Sequence, residues 1–493
     1  MKSRLIIHIA LLLQIVWIVS AQTDECPIEI DLALDTANEI CFGTGRNQVC
    51  YGNTDVQAVD FDESLIDDFD SIGDTVDLFN ISSLSTSPMD ISNDVWGVAL
   101  LAVQANLPDT VPGQNVTFVV FGDTELTSEV PPDNVDNPPP TLTATSTGAI
   151  NVRSGPGTTF AVVGSLAARD ELILQGRNEA GDWAQFTMED GIGWVYVPLI
   201  TLETDITTLD VVDTSNGIDS RYTMPMQAFQ LRTGIGAPAC TEAPKDGLLI
   251  QAPQSTTVYF RINGIEVNVG STAYIQLEDE TMSINTFDGT VDVTSSGITR
   301  TVEPGYHVDV SPDTQPTEPE PYDYEDVQSV SINLLPDDIR IPFIIPGNVG
   351  AADWVNSGVN VTEGQSFAIE ATGQVNIWPA CNQICTGDSV ESDLAIIPSC
   401  TALCNAVSAG PAGSVPIENV TIGVSDFFIM PDQPIVGLMG RIGENELFFV
   451  GAGSSFVANS TGQLQFRINE DTRTPGDETG QFIVYISIGD ATN

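Results

Sequence analysis

Between Gly247 and Val310 the sequence is cut by two-residue turn signals into runs too short for helices. Asn263-Gly264, Asp288-Gly289 and Ser296-Gly297 separate several short strand-like segments. Dipeptides of that kind suit the tight connections of hairpins. The runs Gly247–Gln251, Thr257–Ile262, Glu266–Val269, Ala273–Leu277, Met282–Phe287, Thr290–Thr294 and Tyr306–Val310 are therefore expected as strands. The pattern returns near the C-terminus. Leu464, Phe466 and Ile468 alternate with Gln463, Gln465 and Arg467; Phe482, Val484, Ile486 and Ile488 alternate with Gln481, Ile483, Tyr485 and Ser487. Period two with one apolar face gives the half-buried strands of a sandwich. Val116–Phe121 and Met224–Arg232 also read as strands. The exception lies near the start, where Pro27 suits a first helical position. Ile28, Ile30, Leu32, Leu34, Ala37 and Ile40 follow it with helix-like spacing up to Cys41. The expected class is mostly β and multi-domain, with a short helix near the mature N-terminus.

Proline marks the boundaries. A length of 493 residues is enough for three or four domains. Pro131-Pro132-Asp133 through Pro138-Pro139-Pro140 favours extended chain, and Thr314–Pro321 is a second Pro/acid stretch that extends through Asp323, Glu325 and Asp326. The expected organisation is a signal peptide over 1–21 and a Cys-containing domain over 22–130, with 205–240 as its candidate continuation. A linker over 131–141, a compact unit over 142–203 and a β-module over 241–312 follow. An acidic Pro-rich linker over 313–343 leads to a β-sandwich over 344–493.

The first segment reads as an export signal. Lys2 and Arg4 precede a short apolar run that ends at Val19-Ser20-Ala21, so cleavage is expected after Ala21. No later stretch is long and apolar enough to be read as a membrane span. Loss of Lys2 and Arg4 would take the net charge from -53 to about −55. So acidic a chain cannot displace phosphate counterions, which excludes non-specific nucleic-acid binding, and it would be repelled by anionic lipid. Divalent cations and neutral polymers remain as partners.

An exported chain with eight cysteines points to disulfides. They fall into Cys26, Cys41, Cys50 and Cys240, and into Cys381, Cys385, Cys400 and Cys404. Nested pairing of the second group, Cys381–Cys404 with Cys385–Cys400, is the simplest of three connectivities. A Cys50–Cys240 bridge would mark the 142–203 unit as an insertion in one N-terminal domain. The turn-rich stretch Gly43–Asn53 reads either as a binding loop or, more simply, as a disulfide-tied connector.

The mature chain keeps one histidine, His307, on the alternating run Gly305–Val310, where a strand-surface role is the ordinary reading. No G-x-S-x-G, H-E-x-x-H or P-loop occurs. Paired carboxylates of glycosidase type stay open, because with 68 acids no pair stands out. One loop does concentrate oxygen ligands. Asn469–Gly480 connects the last two strands and carries Glu470, Asp471, Asp477 and Glu478 with an amide and hydroxyls. Hard cations take several such oxygens.

Three stretches resemble known families. Asn151-Val152-Arg153-Ser154-Gly155-Pro156-Gly157, Gly181-Asp182-Trp183 and Gly193-Trp194-Val195 fall in the order of bacterial SH3 (SH3b) domains. That resemblance implies a small SH3-like barrel that recognises cell-wall peptide, polysaccharide or a partner segment, with Trp183 and Trp194 filling or rimming its groove. The run from Ile262-Asn263-Gly264 to Val308-Asp309-Val310 is similar to the periplasmic FecR-type β-module and implies an interaction scaffold. "VGLMGRIG" and "GQLQFRINEDTRTPGDETGQFIVYIS" resemble the end of the galactophilic, calcium-dependent bacterial lectins, and "WVNSGVNVTEGQSFAIEATGQVNI" their opening strands. The family's calcium positions fall on Glu470, Thr474, Asp477 and Glu478. Its sugar-contacting His has no counterpart, and Asn469 and Trp378 are the candidate sugar contacts.

The expectation is a secreted or cell-surface protein without catalytic activity. It would attach to polysaccharide or peptidoglycan through weak SH3b and lectin-like modules on stiff linkers, with calcium in the last loop. The alternatives are a carbohydrate-active hydrolase using paired carboxylates and an envelope scaffold that binds proteins.

Overall fold

A computed structural model describes residues 25–105, 107, 115–130, 141–188, 191–202, 204–209, 211–212, 224–234, 243–348, 354–376, 408–414, 428–445, 447–470 and 478–489. The fold is mostly β, in several modules with very little helix. The signal segment and both proline runs of 131–140 lie outside the described residues.

The first module is a double sheet. A nine-stranded sheet runs from Glu320–Pro321 through Tyr306–Val310, Thr281–Asp288, Thr272–Glu278, Gly247–Gln251, Val116–Phe121, Val98–Val103 and Gln48–Asn53 to Thr75–Asp77. The eight-stranded sheet runs Val56–Val59, Ser83–Thr86, Thr124–Ser128, Ala228–Thr233, Val258–Ile262, Ile265–Val269, Val291–Ser295, Ile298–Val302. Inward residues of both sheets interdigitate, as Phe118 does with Phe229 and Phe260 at ring separations of 5.8 and 5.3 Å. The strands of 22–130 and of 241–312 thus share both sheets. Gly122 turns the chain from one sheet to the other at φ 73°, where a Cβ would strike the Asp246 carboxylate.

Thr124–Ser128 pairs antiparallel with Ala228–Thr233, so the compact unit leaves and re-enters this double sheet between neighbouring strands. The insertion is marked by strand pairing and not by the expected bridge: Cys50 is bonded to Cys41, nine residues away. The helix Glu25–Cys41 ends at that disulfide, and Ala37 beneath it is fully buried.

The inserted unit has seven strands in the order Val162–Leu166, Ile150–Arg153, Gly191–Tyr196, Trp183–Met188, Glu171–Arg177, Leu142–Ser146, Ile200–Leu202. It wraps its own core of Leu142, Val152, Leu174 and Phe186 but does not close into the expected barrel. The two end strands are unsuited to pairing across the gap. Ile200–Leu202 has only three residues, and Val162–Leu166 stands largely in solvent.

Within 313–343 the Pro/acid residues up to Pro321 stay largely exposed, but the part from Tyr322 onward is not a spacer. Asp323 caps the short helix Tyr324–Val327 by accepting from the Glu325 N–H at 3.0 Å, and Tyr322, Tyr324, Val327, Val330, Leu334, Leu335 and Ile341 are all buried. They belong to one apolar cluster that includes Tyr274 and Phe287 of the first module and Phe466 and Phe482 of the last. A file of rings crosses it: Phe121–Tyr274–Phe287–Tyr322 at 6.0, 6.1 and 5.9 Å, then Tyr324–Phe343–Phe466 at 5.3 and 5.9 Å.

The C-terminal sandwich pairs Phe343–Pro346, Thr479–Ile488, Ser366–Asn376 and Ser408–Ala409 in one sheet, with Gly453–Val457 also on Ser366–Asn376. The other sheet holds Val355–Val361, Gly462–Ile468, Leu438–Ile442 and Leu447–Phe449. Leu464, Phe466 and Ile468 point inward at 0, 0 and 2% exposure, as the alternation requires.

Candidate functional site: a buried carboxyl pair at the sandwich end

The strand Gly462–Ile468 delivers Asn469 and Glu470 to the end of the sandwich, and Glu478 enters the next strand, Thr479–Ile488. Both acids are buried, at 2 and 5% exposure. Arg467, also buried, places Nη2 3.5 Å from Glu470 Oε1. Burial, first of all, pushes the Glu470 carboxyl up to about 8; a hydrogen bond with the Glu478 side chain and the Glu478 charge add to this, and Arg467 opposes it. Two carboxyls that hydrogen-bond each other must share a proton. Among the described residues Glu470 Oε2 has no hydrogen-bond donor. A buried carboxylate oxygen without a donor is costly, and a hard cation satisfies it as well as a proton does.

The site is braced from one side by Asn469, which is fully buried. Its Nδ2 donates to the carbonyls of Met430 and Pro434 at 3.0 Å each and of Gln433 at 3.4 Å, and its Oδ1 accepts from Met430 N–H at 3.0 Å. Asn469 was expected to contact sugar; its amide is instead consumed in holding the 430–434 turn.

The remaining expected ligands divide by position. Thr474, Asp477 and Trp378 lie outside the described residues, as do Cys240, Cys381, Cys385, Cys400 and Cys404. Cys26 lies on the first helix. Among the described residues no group of three or more His, Cys, Asp or Glu could hold a metal. Glu470 and Glu478 are two carboxylates, short of such a group by themselves; they would offer oxygens to a hard cation, and the donorless Oε2 is the kind of atom that one would satisfy.

Trp183 and Trp194 fill their unit rather than rim it. At 7 and 1% exposure they pack under Val212 and Ile192, so neither offers a ring face to a sugar. Exposed aromatics of this unit are Tyr196, 5.4 Å from Trp183, and Phe160. His307 sits on the sheet surface, with Ser283 Oγ 3.2 Å from Nδ1 and the Asp309 and Glu320 carboxylates each at 3.7 Å. Among the described residues, no helix is long and apolar enough to cross a membrane.

No protein-family model matches the sequence, and no curated protein matches it. The SH3b and FecR-type resemblances therefore rest on their motifs. Among solved structures, the chain is similar to "EclA N-terminal domain; PllA-like lectin" at 19% identity, over 30% of this chain and 95% of that one, with a TM-score of 0.20. It is also similar to two crystal structures of a candidate anti-sigma factor from Parabacteroides distasonis ATCC 8503. These share 14 and 13% identity over 25 and 35% of this chain and 50 and 66% of theirs, each with a TM-score of 0.16. Likenesses at these scores carry no argument about this chain.

Proposed function

We propose that this is a secreted, non-catalytic carbohydrate-binding protein whose C-terminal sandwich engages sugar through a calcium ion. The observation that supports the reading is the buried Glu470–Glu478 pair with its donorless oxygen, at the loop where the sequence resembles calcium-dependent lectins. Glu470 and Glu478, with Thr474 and Asp477, would hold the ion, which polarises sugar hydroxyls when bound. The Arg467 guanidinium lies 3.5 Å from one oxygen of Glu470, and Asn469 keeps the strand exit in place. Polysaccharide or peptidoglycan is the proposed polymer.

The hydrolase reading is less well supported by this pair. Retaining and inverting glycosidases hold their carboxyls about 5–9.5 Å apart on either side of the scissile bond. Glu470 and Glu478 instead lie in one buried place, close enough for the Glu478 side chain to help raise the Glu470 carboxyl. The test is a glycan and peptidoglycan retention assay of the full chain, with calcium and with EDTA, alongside calcium titration of the melting temperature. Retention that depends on calcium, with a raised melting temperature, supports the reading. A melting temperature indifferent to both calcium and EDTA refutes it.

A further inference from the structure

A cleft of about 820 Å³ lies where the helix Glu25–Cys41 ends, far along the chain from the carboxyl pair. One wall is the turn Phe42-Gly43-Thr44, tied by the Cys41–Cys50 disulfide, and the other is the segment 333–338. Asn115, Thr117 and Gln251 line its floor. The volume falls within the range of ligand sites, roughly 300–1,000 Å³.

The walls are fixed before any ligand arrives. Gln251, 3% exposed, donates from Nε2 to the Asp337 carbonyl at 3.1 Å and accepts the Asp337 N–H on Oε1 at 2.9 Å. Asn38 Nδ2 reaches the Asn333 carbonyl at 3.5 Å. Thr44 Oγ1 donates to the Cys41 carbonyl at 2.7 Å. Preorganisation of this kind lowers the cost of ordering a site on binding.

The lining chemistry selects the ligand. Among the described lining residues there is no Lys, Arg or His, while Asp337 and Asp338 are both present; Arg46 flanks the cleft with its guanidinium on Asn115, so the lining itself disfavours phosphates and carboxylates. The polar groups are mainly amides and hydroxyls, which pair with the mixed donor and acceptor character of sugar hydroxyls. Asn115 Oδ1 accepts from Arg46 Nε–H at 3.0 Å, and its Nδ2 is a further donor. At the rim Phe42 is 90% exposed, a ring of the kind that stacks on the C–H face of a pyranose. A peptide strand finds no purchase here, because Gly247–Gln251 is already paired on both sides.

We infer that this cleft binds a neutral oligosaccharide, with Phe42 against a sugar face and Asn38, Asn115, Gln254 and Asp338 hydrogen-bonding its hydroxyls. The site is separate from the calcium-dependent one and stands whether or not that reading does.

The test uses the full chain in EDTA against immobilised chitotetraose, cellotetraose, maltotetraose and mannotetraose, with tetralysine as a charge control. Gly43→Trp is the blocking variant, because Gly43 lines the cleft and a Cβ there meets no atom within 4 Å. At least one glycan should be retained. Phe42→Ala should weaken retention about tenfold, and Gly43→Trp should abolish it, both with unchanged melting temperatures. Glu470→Gln should leave it intact. The inference fails if no glycan is retained, if tetralysine alone is retained, or if Gly43→Trp retains glycan as well as the parent. Loss of retention in Glu470→Gln would likewise overturn it, by assigning the sugar to the carboxyl pair.

Discussion

Replacing Glu470 by Gln should change how stability depends on pH, and the direction follows from the buried pair. In the unfolded chain this carboxyl loses its proton near 4.5, whereas the folded protein keeps the proton up to about 8. Between those values the folded state binds more protons than the unfolded state. Cation-free protein is therefore most favoured below about 4.5, as far as this group is concerned, and loses stability as pH rises to about 8. The whole difference would amount to about 4–5 kcal/mol in a site closed to water. Solvent screening at the end of the sandwich reduces this to about 2–3 kcal/mol. The Gln side chain carries no charge and does not titrate. In EDTA the variant should match the parent at pH 5 and exceed it by about 2–3 kcal/mol at pH 8.5. Urea unfolding of both proteins measures this, and their difference cancels the other acids. Calcium at pH 8.5 should stabilise the parent and leave the variant unmoved. If the parent–variant difference is the same at pH 5 and 8.5, Glu470 does not hold a proton through neutral pH and the reasoning is wrong.

Three further outcomes are expected. Asn469→Ala strips the 430–434 turn of its amide bracket and should cost about 3 kcal/mol, with weaker calcium stabilisation, both readable from thermal melts. Phe343→Ala removes a ring between Tyr324 and Phe466. It should cost about 3–5 kcal/mol and, in limited proteolysis, expose 313–343 to cleavage. Cys41→Ser with Cys50→Ser opens a short loop. It should lower stability by about 2–3 kcal/mol in denaturant unfolding, and should weaken glycan retention at the Phe42 turn while leaving the response to calcium unchanged.

Much of the strand pattern was legible because each sheet face enforces period two. Tyr306–Val310 stands where alternation placed it, while Gly247–Gln251 and Val116–Phe121, buried on both faces, were legible as short apolar runs. Ile298–Val302 escaped notice because Thr299, Arg300 and Thr301 leave only its two end residues apolar. Proline and acid content made 313–343 look like a spacer. Tyr322, Tyr324 and Val327 carry the contrary signal, since packing by a few rings outweighs the average polarity of a segment. At the carboxyl pair, Glu470 and Glu478 were marked by their crowded loop. Asn469 was marked there too, but as a sugar contact and not as a brace, and Arg467 read only as an outward polar residue of its strand. Their roles depend on the 430–434 turn and on the end of the sandwich, both set by tertiary contacts. Burial of Trp183 and Trp194 was likewise a matter of which face Val212 covers.

The file of rings from Phe121 to Phe466 has a consequence for any extended polymer that meets this molecule. Because the residues from Tyr322 to Phe343 carry buried rings and aliphatics that join both modules, the double sheet and the terminal sandwich behave as one ruler rather than two beads on a string. Two sites on such a body have a set distance and angle, so avidity would reward a polymer whose repeat matches that spacing and give nothing to one that does not.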